Sequence, residues 1–175
     1  MNNNAFDLGE EIKVRSVEYR LHRDLWQKYD LSKIDLNFNN WRTIKYLNND
    51  GTDFSDSIDD LPNDKGGLYL FSVGCPLIQG ITEYPMYIGR AQHTIGQNLR
   101  KRCKEYFHKY SHEDERPKIT RMFKYWSKDL YLSFLVIDEN EDIVDFENKL
   151  INSLLLPFND EIPDKDFKQA IKAFN

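Results

Sequence analysis

Runs of apolar residues in the second two thirds of the chain predict three strands. Residues 68–73 form a short, bulky, β-favouring run after Gly66-Gly67, which is typical of a buried strand. Residues 85–89 form a second run, and glycines and prolines interrupt the segment between the two. The simplest assembly is an antiparallel pair joined by an enlarged loop. Residues 130–137 are almost continuously apolar and predict a third strand.

Helical periodicity appears between and after these strands. Apolar residues recur every three or four positions over residues 96–109, from Pro117 onwards, and over residues 143–156. Pro117 suits the first turn of its helix. A last short helix is expected over residues 165–173.

The first third of the chain has weaker patterns. Val17, Leu21, Leu25 and Trp26 recur at helical spacing and predict a helix over residues 17–30. Residues 37–47 contain aromatic and β-branched side chains and form either a short strand or a packing arm. The acidic residues 50–64 indicate an exposed connection. This third of the sequence carries no recognisable chemistry.

Composition indicates a soluble globular protein, with 40% hydrophobic and 30% charged residues in 175. No apolar run approaches the roughly 18 residues of a membrane helix, and the polar residues 1–4 do not resemble the start of a signal peptide. Cys75 and Cys103 lie far apart with no second ligand at metal spacing, so we expect two reduced thiols and a cytoplasmic protein.

Charge is unevenly distributed along the chain. The net charge is −5, yet residues 90–128 contain 11 Lys and Arg against 4 Asp and Glu. This stretch is either a solvated surface or a positive face for an anionic partner such as nucleic acid. Within it Arg102 and Tyr106 lie four residues apart, on one stripe of the predicted helix.

Glu147 interrupts an apolar helix face. It lies four residues after Ile143 and four before Ile151, so its carboxylate is expected among apolar neighbours. Burial of a carboxylate is costly unless a cation compensates. The cation is either an arginine in a structural salt bridge or a hard metal ion such as Mg²⁺, for which carboxylates are usual ligands.

Five separated segments, taken in order, resemble the GIY-YIG nuclease family. Gly67-Leu68-Tyr69 is similar to the first motif, with Leu in place of Ile, and Tyr87-Ile88-Gly89 matches the second. Arg102 and Tyr106 match the helix positions, Glu147 the metal-binding glutamate, and Asn159 the motif asparagine. The resemblance covers about 95 residues. It departs from the family in the 17 residues between Tyr69 and Tyr87, where about ten are usual.

The resemblance implies an α+β fold, with a small three-stranded antiparallel sheet flanked by helices. It divides the chain into an N-terminal extension (1–65), a nuclease core (66–160) and a C-terminal helix (161–175). It also implies metal-dependent hydrolysis of DNA to 5′-phosphate and 3′-hydroxyl ends, with Mg²⁺ or Mn²⁺ on Glu147. We expect no membrane partner, and a homodimer would be the easiest way for so small an enzyme to cut both strands.

The resemblance also implies roles for single residues. Arg102 would hold the phosphate, and Tyr69 would act as general base with a lowered pKa, assisted by Tyr87. Tyr106 would contact phosphate or water, and Asn159 would support the site. The expected catalytic residues are Tyr69, Tyr87, Arg102, Tyr106, Glu147 and Asn159, and the expected substrate-binding residues are Arg90, Arg100, Lys101 and Lys104.

Two other functions remain open from the sequence. One is a module that keeps this fold and binds nucleic acid or a partner without catalysis. The other is a purely structural protein in which Glu147 bridges an arginine. Among nucleases, a restriction or defence enzyme, a mobile-element enzyme and a repair enzyme are all compatible with the residues.

Overall fold

A computed structural model describes residues 5–78 and 80–173, and residues 1–4 lie outside this range. The centre of the fold is one antiparallel sheet of four strands in the order β1-β4-β2-β3. The strands are β1 (Arg42–Lys45), β2 (Gly66–Gly74), β3 (Glu83–Ala91) and β4 (Leu130–Ile137). The α+β class is therefore confirmed, but the expected number of three strands is wrong. The fourth strand comes from residues 37–47, where the sequence left a strand and a packing arm open.

The central strand β2 is buried on both faces and separates two cores. Tyr69 and Phe71 point into a large aromatic core, while Leu68 on the opposite face joins a smaller aliphatic core. This alternation follows from the two-residue period of a strand. The sheet thus has one layer of helices on each face, as an apolar sheet with two buried faces requires.

In the described residues, six α-helices surround the sheet: α1 (Ala5–Arg15), α2 (Arg23–Lys28), α3 (Leu99–Ser111), α4 (Pro117–Trp126), α5 (Asn140–Leu154) and α6 (Lys165–Ala173). Helices α3 and α4 cover the aromatic core, and α5 covers the aliphatic core. The last four helices confirm the periodic patterns to within a few residues. Pro117 stands at the first turn of α4, as expected.

The helix expected over residues 17–30 is confirmed only for Arg23–Lys28. Val17 and Tyr19 lie in a segment without regular secondary structure, and their side chains pack against the aromatic core. Arg121 of α4 fixes the start of this segment by donating hydrogen bonds to the carbonyl oxygens of Val14, at 2.9 Å, and Ser16. Tertiary contacts therefore outweigh the helical spacing in residues 17–22.

Two further sequence expectations can be compared with the fold. The acidic connection is not wholly exposed, since Ile58 and Leu61 are buried and join the aromatic core. Cys75 and Cys103 are free thiols, as predicted. In the part of the chain that the structure describes, no helix is long and apolar enough to span a bilayer.

Glycine is required where β2 meets β4. A Cβ atom on Gly67 would lie 2.0 Å from the carbonyl oxygen of Leu135, which is a backbone atom of the paired strand. Backbone cannot give way as a flexible side chain can, so any larger residue would separate the two strands. The glycine of the first motif thus serves the sheet.

We expect Gly67→Ala to lower the free energy of unfolding by about 2–3 kcal/mol or more, through overpacking at a backbone contact. Gly96→Ala is the matched control, because a Cβ atom there meets nothing within 4 Å. Its effect should stay within about 0.5 kcal/mol. Urea titration followed by circular dichroism measures both, and equal stabilities would contradict the packing argument.

Candidate active site

An open cleft of about 790 Å³ lies beside the edge strand β3. It is lined by residues from β2, β3, α3 and α5 and from the segments before α4 and after α5. The expected site residues among its lining are Tyr69, Tyr87, Arg90, Arg102, Glu147 and Asn159. The fold therefore brings six of these side chains, which are spread over 91 positions of the sequence, to one surface.

Three phenol groups form a hydrogen-bonded chain beneath the cleft. The hydroxyl of Tyr106 lies 2.7 Å from that of Tyr69 and 3.0 Å from that of Tyr87. Arg102, one helical turn before Tyr106, donates to the same Tyr106 hydroxyl at 3.3 Å. Sheet register places Tyr69 and Tyr87 on one face, since Tyr69 pairs with Gly89, two residues after Tyr87. The helix α3 supplies the other two groups from its i, i+4 stripe.

Gly89 of the second motif makes room for this chain. A Cβ atom on Gly89 would lie within 2.6–2.8 Å of the ring and hydroxyl atoms of Tyr69. The Tyr69 ring therefore lies directly across the backbone of β3, and its hydroxyl extends toward the cleft. A glycine after Tyr87-Ile88 is needed for the position of Tyr69.

Burial raises the pKa of Tyr69 well above its usual range, and the nearby phenols of Tyr106 and Tyr87 raise it further. The positive charge of Arg102 opposes these effects without outweighing them. Burial likewise raises the pKa of Tyr106. Burial and the neighbouring phenols thus act against the lowered pKa that a general base needs, and the role of Tyr69 as general base stays a prediction. The three hydroxyls donate and accept hydrogen bonds within the phenol chain.

Arg102 is held in place by a carboxylate on its own helix. Its guanidinium donates to Glu105 at 2.8 Å, and its carbon lies 5.0 Å from the centroid of the Tyr106 ring. Gln97 donates to the other Glu105 oxygen at 2.9 Å. Burial pushes the pKa of Glu105 upward, but these hydrogen bonds outweigh it and keep the pKa below its usual value. Arg102 is thus oriented toward the cleft by an ionised partner.

Glu147 forms an ion pair with Arg90 in this structure. The carboxylate projects from α5 and is 12% exposed, and Arg90 reaches it from β3. Burial raises the pKa of Glu147, and the charge of Arg90 only partly offsets the effect. The structure thus pairs the carboxylate with an arginine, one of the two cations that the sequence left open.

A metal ion remains compatible with Glu147 by its donor chemistry. No group of three or more His, Cys, Asp and Glu side chains forms a metal cage within the described residues. Mg²⁺ does not need such a cage, since it often binds through one or two carboxylates and keeps several waters. Glu147 faces an open, polar cleft in which water and a phosphate would complete the coordination. Glu147 is the carboxylate that would hold such an ion.

Asn159 supports the edge strand. Its side-chain oxygen accepts a hydrogen bond from the Ile88 backbone N–H at 3.1 Å, and its amide donates to the Ile88 carbonyl at 2.8 Å. The Phe158 N–H donates to the Met86 carbonyl at 3.0 Å. The segment after α5 therefore satisfies backbone groups of β3 that an uncovered edge would expose. This agrees with a supporting role for Asn159.

The basic residues of α3 outside its site stripe do not reach the cleft. Arg100 donates to the backbone carbonyls of Leu61, at 2.7 Å, and Asp59, and Lys104 binds the Asp59 carboxylate at 2.9 Å. Lys101 donates to the Gly96 carbonyl. All three are absent from the lining. Their expected role in substrate binding therefore has no support in the geometry, because they hold neighbouring segments instead.

Sequence reasoning missed three cations that do line the cleft: Arg116, Lys165 and Lys168. The guanidinium of Arg116 lies 5.5 Å from the centroid of the Tyr87 ring and 3.7 Å from a carboxylate oxygen of Asp160. Nothing in the sequence distinguishes Arg116 from the charged residues around it. The two lysines lie beyond the segment that the motifs cover. The only indication in the sequence that they act together was their spacing of three residues on a predicted helix.

We expect the phenols to limit stability at high pH. The pKa values of Tyr69, Tyr106 and Tyr46 are raised in the folded state, whereas an unfolded tyrosine titrates near ~10. Their contribution to stability is therefore complete below about pH 10 and is lost as the pH rises through the folded values. Phenolate absorbance from these residues should appear together with loss of circular dichroism. Full titration of all ten tyrosines with native dichroism would contradict this.

The two partners of the cleft ion pair should differ in their effect on stability. Arg90→Gln leaves a mostly buried carboxylate unpaired, whereas Glu147→Gln leaves a guanidinium that is 35% exposed and accessible to water. We expect Arg90→Gln to cost at least about 1 kcal/mol more than Glu147→Gln. Glu147→Gln should be neutral or slightly stabilising at pH 7, because burial disfavours its ionised form. Equal losses in urea titrations would contradict this asymmetry.

In comparisons with known proteins, no family model, no curated protein and no solved structure matches this chain.

Proposed function

We propose that this protein is a metal-dependent endonuclease of the GIY-YIG kind, which hydrolyses DNA phosphodiester bonds to 5′-phosphate and 3′-hydroxyl ends. The observation that carries the proposal is the convergence of Tyr69, Tyr87, Arg102, Glu147 and Asn159 at one cleft. These residues come from the separated segments that resemble the family motifs.

The cations of the cleft suit a phosphodiester. Arg102 and Arg116 are planar donors that can bind the two non-bridging oxygens, and Arg90 lies in the same lining. The negative charge that develops on phosphate as water attacks and the P–O3′ bond breaks would be stabilised by these preorganised groups. Five cations face three carboxylates in the lining, although the whole chain is negative.

The phenol chain has a positioning role in this proposal. Tyr69 and Tyr87 line the cleft, and their hydroxyls are joined by hydrogen bonds through that of Tyr106. They would orient the attacking water by hydrogen bonds. Tyr69 is the proposed acceptor of the water proton; burial raises its pKa, and the positive charges of Arg102 and of a divalent ion on Glu147 would act in the opposite direction. Mg²⁺ or Mn²⁺ on Glu147, when bound, would supply charge neutralisation for the phosphate and the departing 3′-oxygen.

One observation favours a second candidate, a nucleic-acid-binding module of the same fold without catalysis. Glu147 is already neutralised by Arg90, so the carboxylate does not need a metal for its burial. Such a module would retain the cationic cleft and bind DNA. It would not cut any substrate with any divalent ion. Restriction or defence, repair and mobile-element roles are all compatible with the nuclease, as is action by a homodimer.

The purified protein should nick or linearise supercoiled plasmid DNA in the presence of Mg²⁺ or Mn²⁺. Glu147→Gln should reduce the cleavage rate at least about 100-fold, because a metal ion contributes several kcal/mol of charge stabilisation. Asp145→Asn is the matched control. Asp145 lies on the same helix, is 53% exposed and pairs with Lys149 at 2.7 Å, outside the cleft.

Gel analysis of product ends measures both the rate and the chemistry. If Glu147→Gln cuts as fast as the parent, the assignment of Glu147 is wrong. If the parent binds plasmid but does not cut it in the presence of any divalent ion, the binding module is the correct function.

A further inference from the structure

The C-terminal helix α6 has a fixed start although it buries none of its residues. The Asp164 side chain caps it, since one carboxylate oxygen accepts hydrogen bonds from the backbone N–H groups of Asp166, at 3.0 Å, and Phe167, at 3.2 Å. The Asp164 N–H in turn donates to the side chain of Asn152 at 3.1 Å. Asn152 is buried on α5. The first turn of α6 is thus tied to the core of the protein.

The N-terminal segment braces the same point. Tyr29, directly after α2, donates its hydroxyl proton to the second Asp164 oxygen at 3.1 Å. The Lys28 ammonium lies 3.5 Å from that oxygen and 4.2 Å from the centroid of the Phe167 ring. Helix α2 itself packs on α5 and buries Leu25. Residues far apart in the sequence therefore hold α6 in one position.

This position places two lysines in the cleft. Lys165 and Lys168 are three residues apart, so they lie on one side of α6, and both line the cleft with Tyr69, Tyr87 and Glu147. Both residues are exposed. Among the described residues, neither forms an ion pair, unlike the lysines of the neighbouring segments such as Lys118 and Lys149.

We infer that α6 forms a phosphate-binding wall of the cleft, in which Lys165 and Lys168 bind backbone phosphates of a DNA duplex beside the phosphate that is cut. The identity of the ligand rests on the proposed function. Lysine is a flexible point charge, so these contacts fix the position of the backbone and do not select its sequence. Asp164 and Tyr29 are positioning residues that act through α6. The substrate contact thus comes from the C-terminal helix, and α3, with its denser basic sequence, contributes only Arg102 to the lining.

The test measures binding of a labelled 20-base-pair duplex in EDTA, so that cleavage and metal do not enter. The double variant Lys165→Gln/Lys168→Gln should bind roughly tenfold or more weakly at about 0.1 M salt, and the salt slope of log K should fall by about 1.8, or 0.9 per phosphate contact. Lys109→Gln/Lys128→Gln removes the same charge from exposed positions that lie outside the cleft and outside α6. Its slope should equal that of the parent.

Asp164 provides a test with the opposite electrostatic sign. Asp164→Ala makes the protein less negative, so charge alone would strengthen DNA binding. Loss of the cap and of the Tyr29 contact should release α6, and we expect weaker binding with a smaller salt slope. Asp164→Asn should bind at least as tightly as the parent, because asparagine also caps helices and the same negative charge is removed. Thermal unfolding monitors whether the variants remain folded.

The outcomes separate this inference from the nuclease proposal. If the cleft lysine variant binds like the parent, or if the control variant loses as much affinity, α6 is not a phosphate-binding wall. That result would leave the nuclease proposal standing, because plasmid cleavage tests it separately. Tighter binding by Asp164→Ala also overturns the positioning role. If the lysine and Asp164 results hold but no divalent ion supports cleavage, the inference stands and the nuclease proposal fails. A parent protein that does not bind DNA overturns both.

Discussion

The ring of Tyr69 lies across Gly89 of the neighbouring strand, and its hydroxyl meets that of Tyr106 on α3. This contact joins the sheet to the helix that carries Arg102, so the direction of the arginine depends on it. It also constrains two strands: β3 must have no side chain at residue 89, and β2 must carry Tyr69 opposite that position. The same burial that makes the contact tight disfavours a phenolate. The packing that positions the Tyr69 hydroxyl therefore also raises its pKa.

The edge strand β3 is where stability and the candidate activity meet. An exposed edge presents unpaired backbone groups, and the segment after α5 covers part of it through Phe158 and Asn159. The cleft occupies the adjoining surface. Arg90 and Glu147 lie there as a partly buried pair, in which the acid is more deeply buried than the base. A group held at such a cost is typical of a functional site.

The two ends of the described chain complete the site indirectly. Residues before Gly66 provide β1, which covers one edge of β4, and the contacts that hold α6. Residues after Asp160 provide the two lysines of the cleft. Neither end resembles the family motifs, yet both contribute to the surface on which those motifs meet. The functional unit is therefore larger than the segment that the motifs cover.

The sequence by itself determined the elements whose signals are local. The strands β2 and β4 and the helices from α3 onward followed from periodicity. Glu147 was recognisable as a charged residue on an apolar face. These predictions succeeded because residues two, three or four positions apart decide which face of an element is buried.

Only the tertiary structure decided which side chains contact each other in the cleft. It paired Glu147 with Arg90, raised the pKa of Tyr69, directed Arg100, Lys101 and Lys104 away from the cleft, and brought the α6 lysines into it. It also left residues 17–22 without regular secondary structure where helical spacing predicted a helix. Hydrogen bonds, ion pairs and desolvation depend on groups that are distant in sequence, so no local pattern encodes them. For that reason the site residues could be named from the sequence, but their charges and contacts could not.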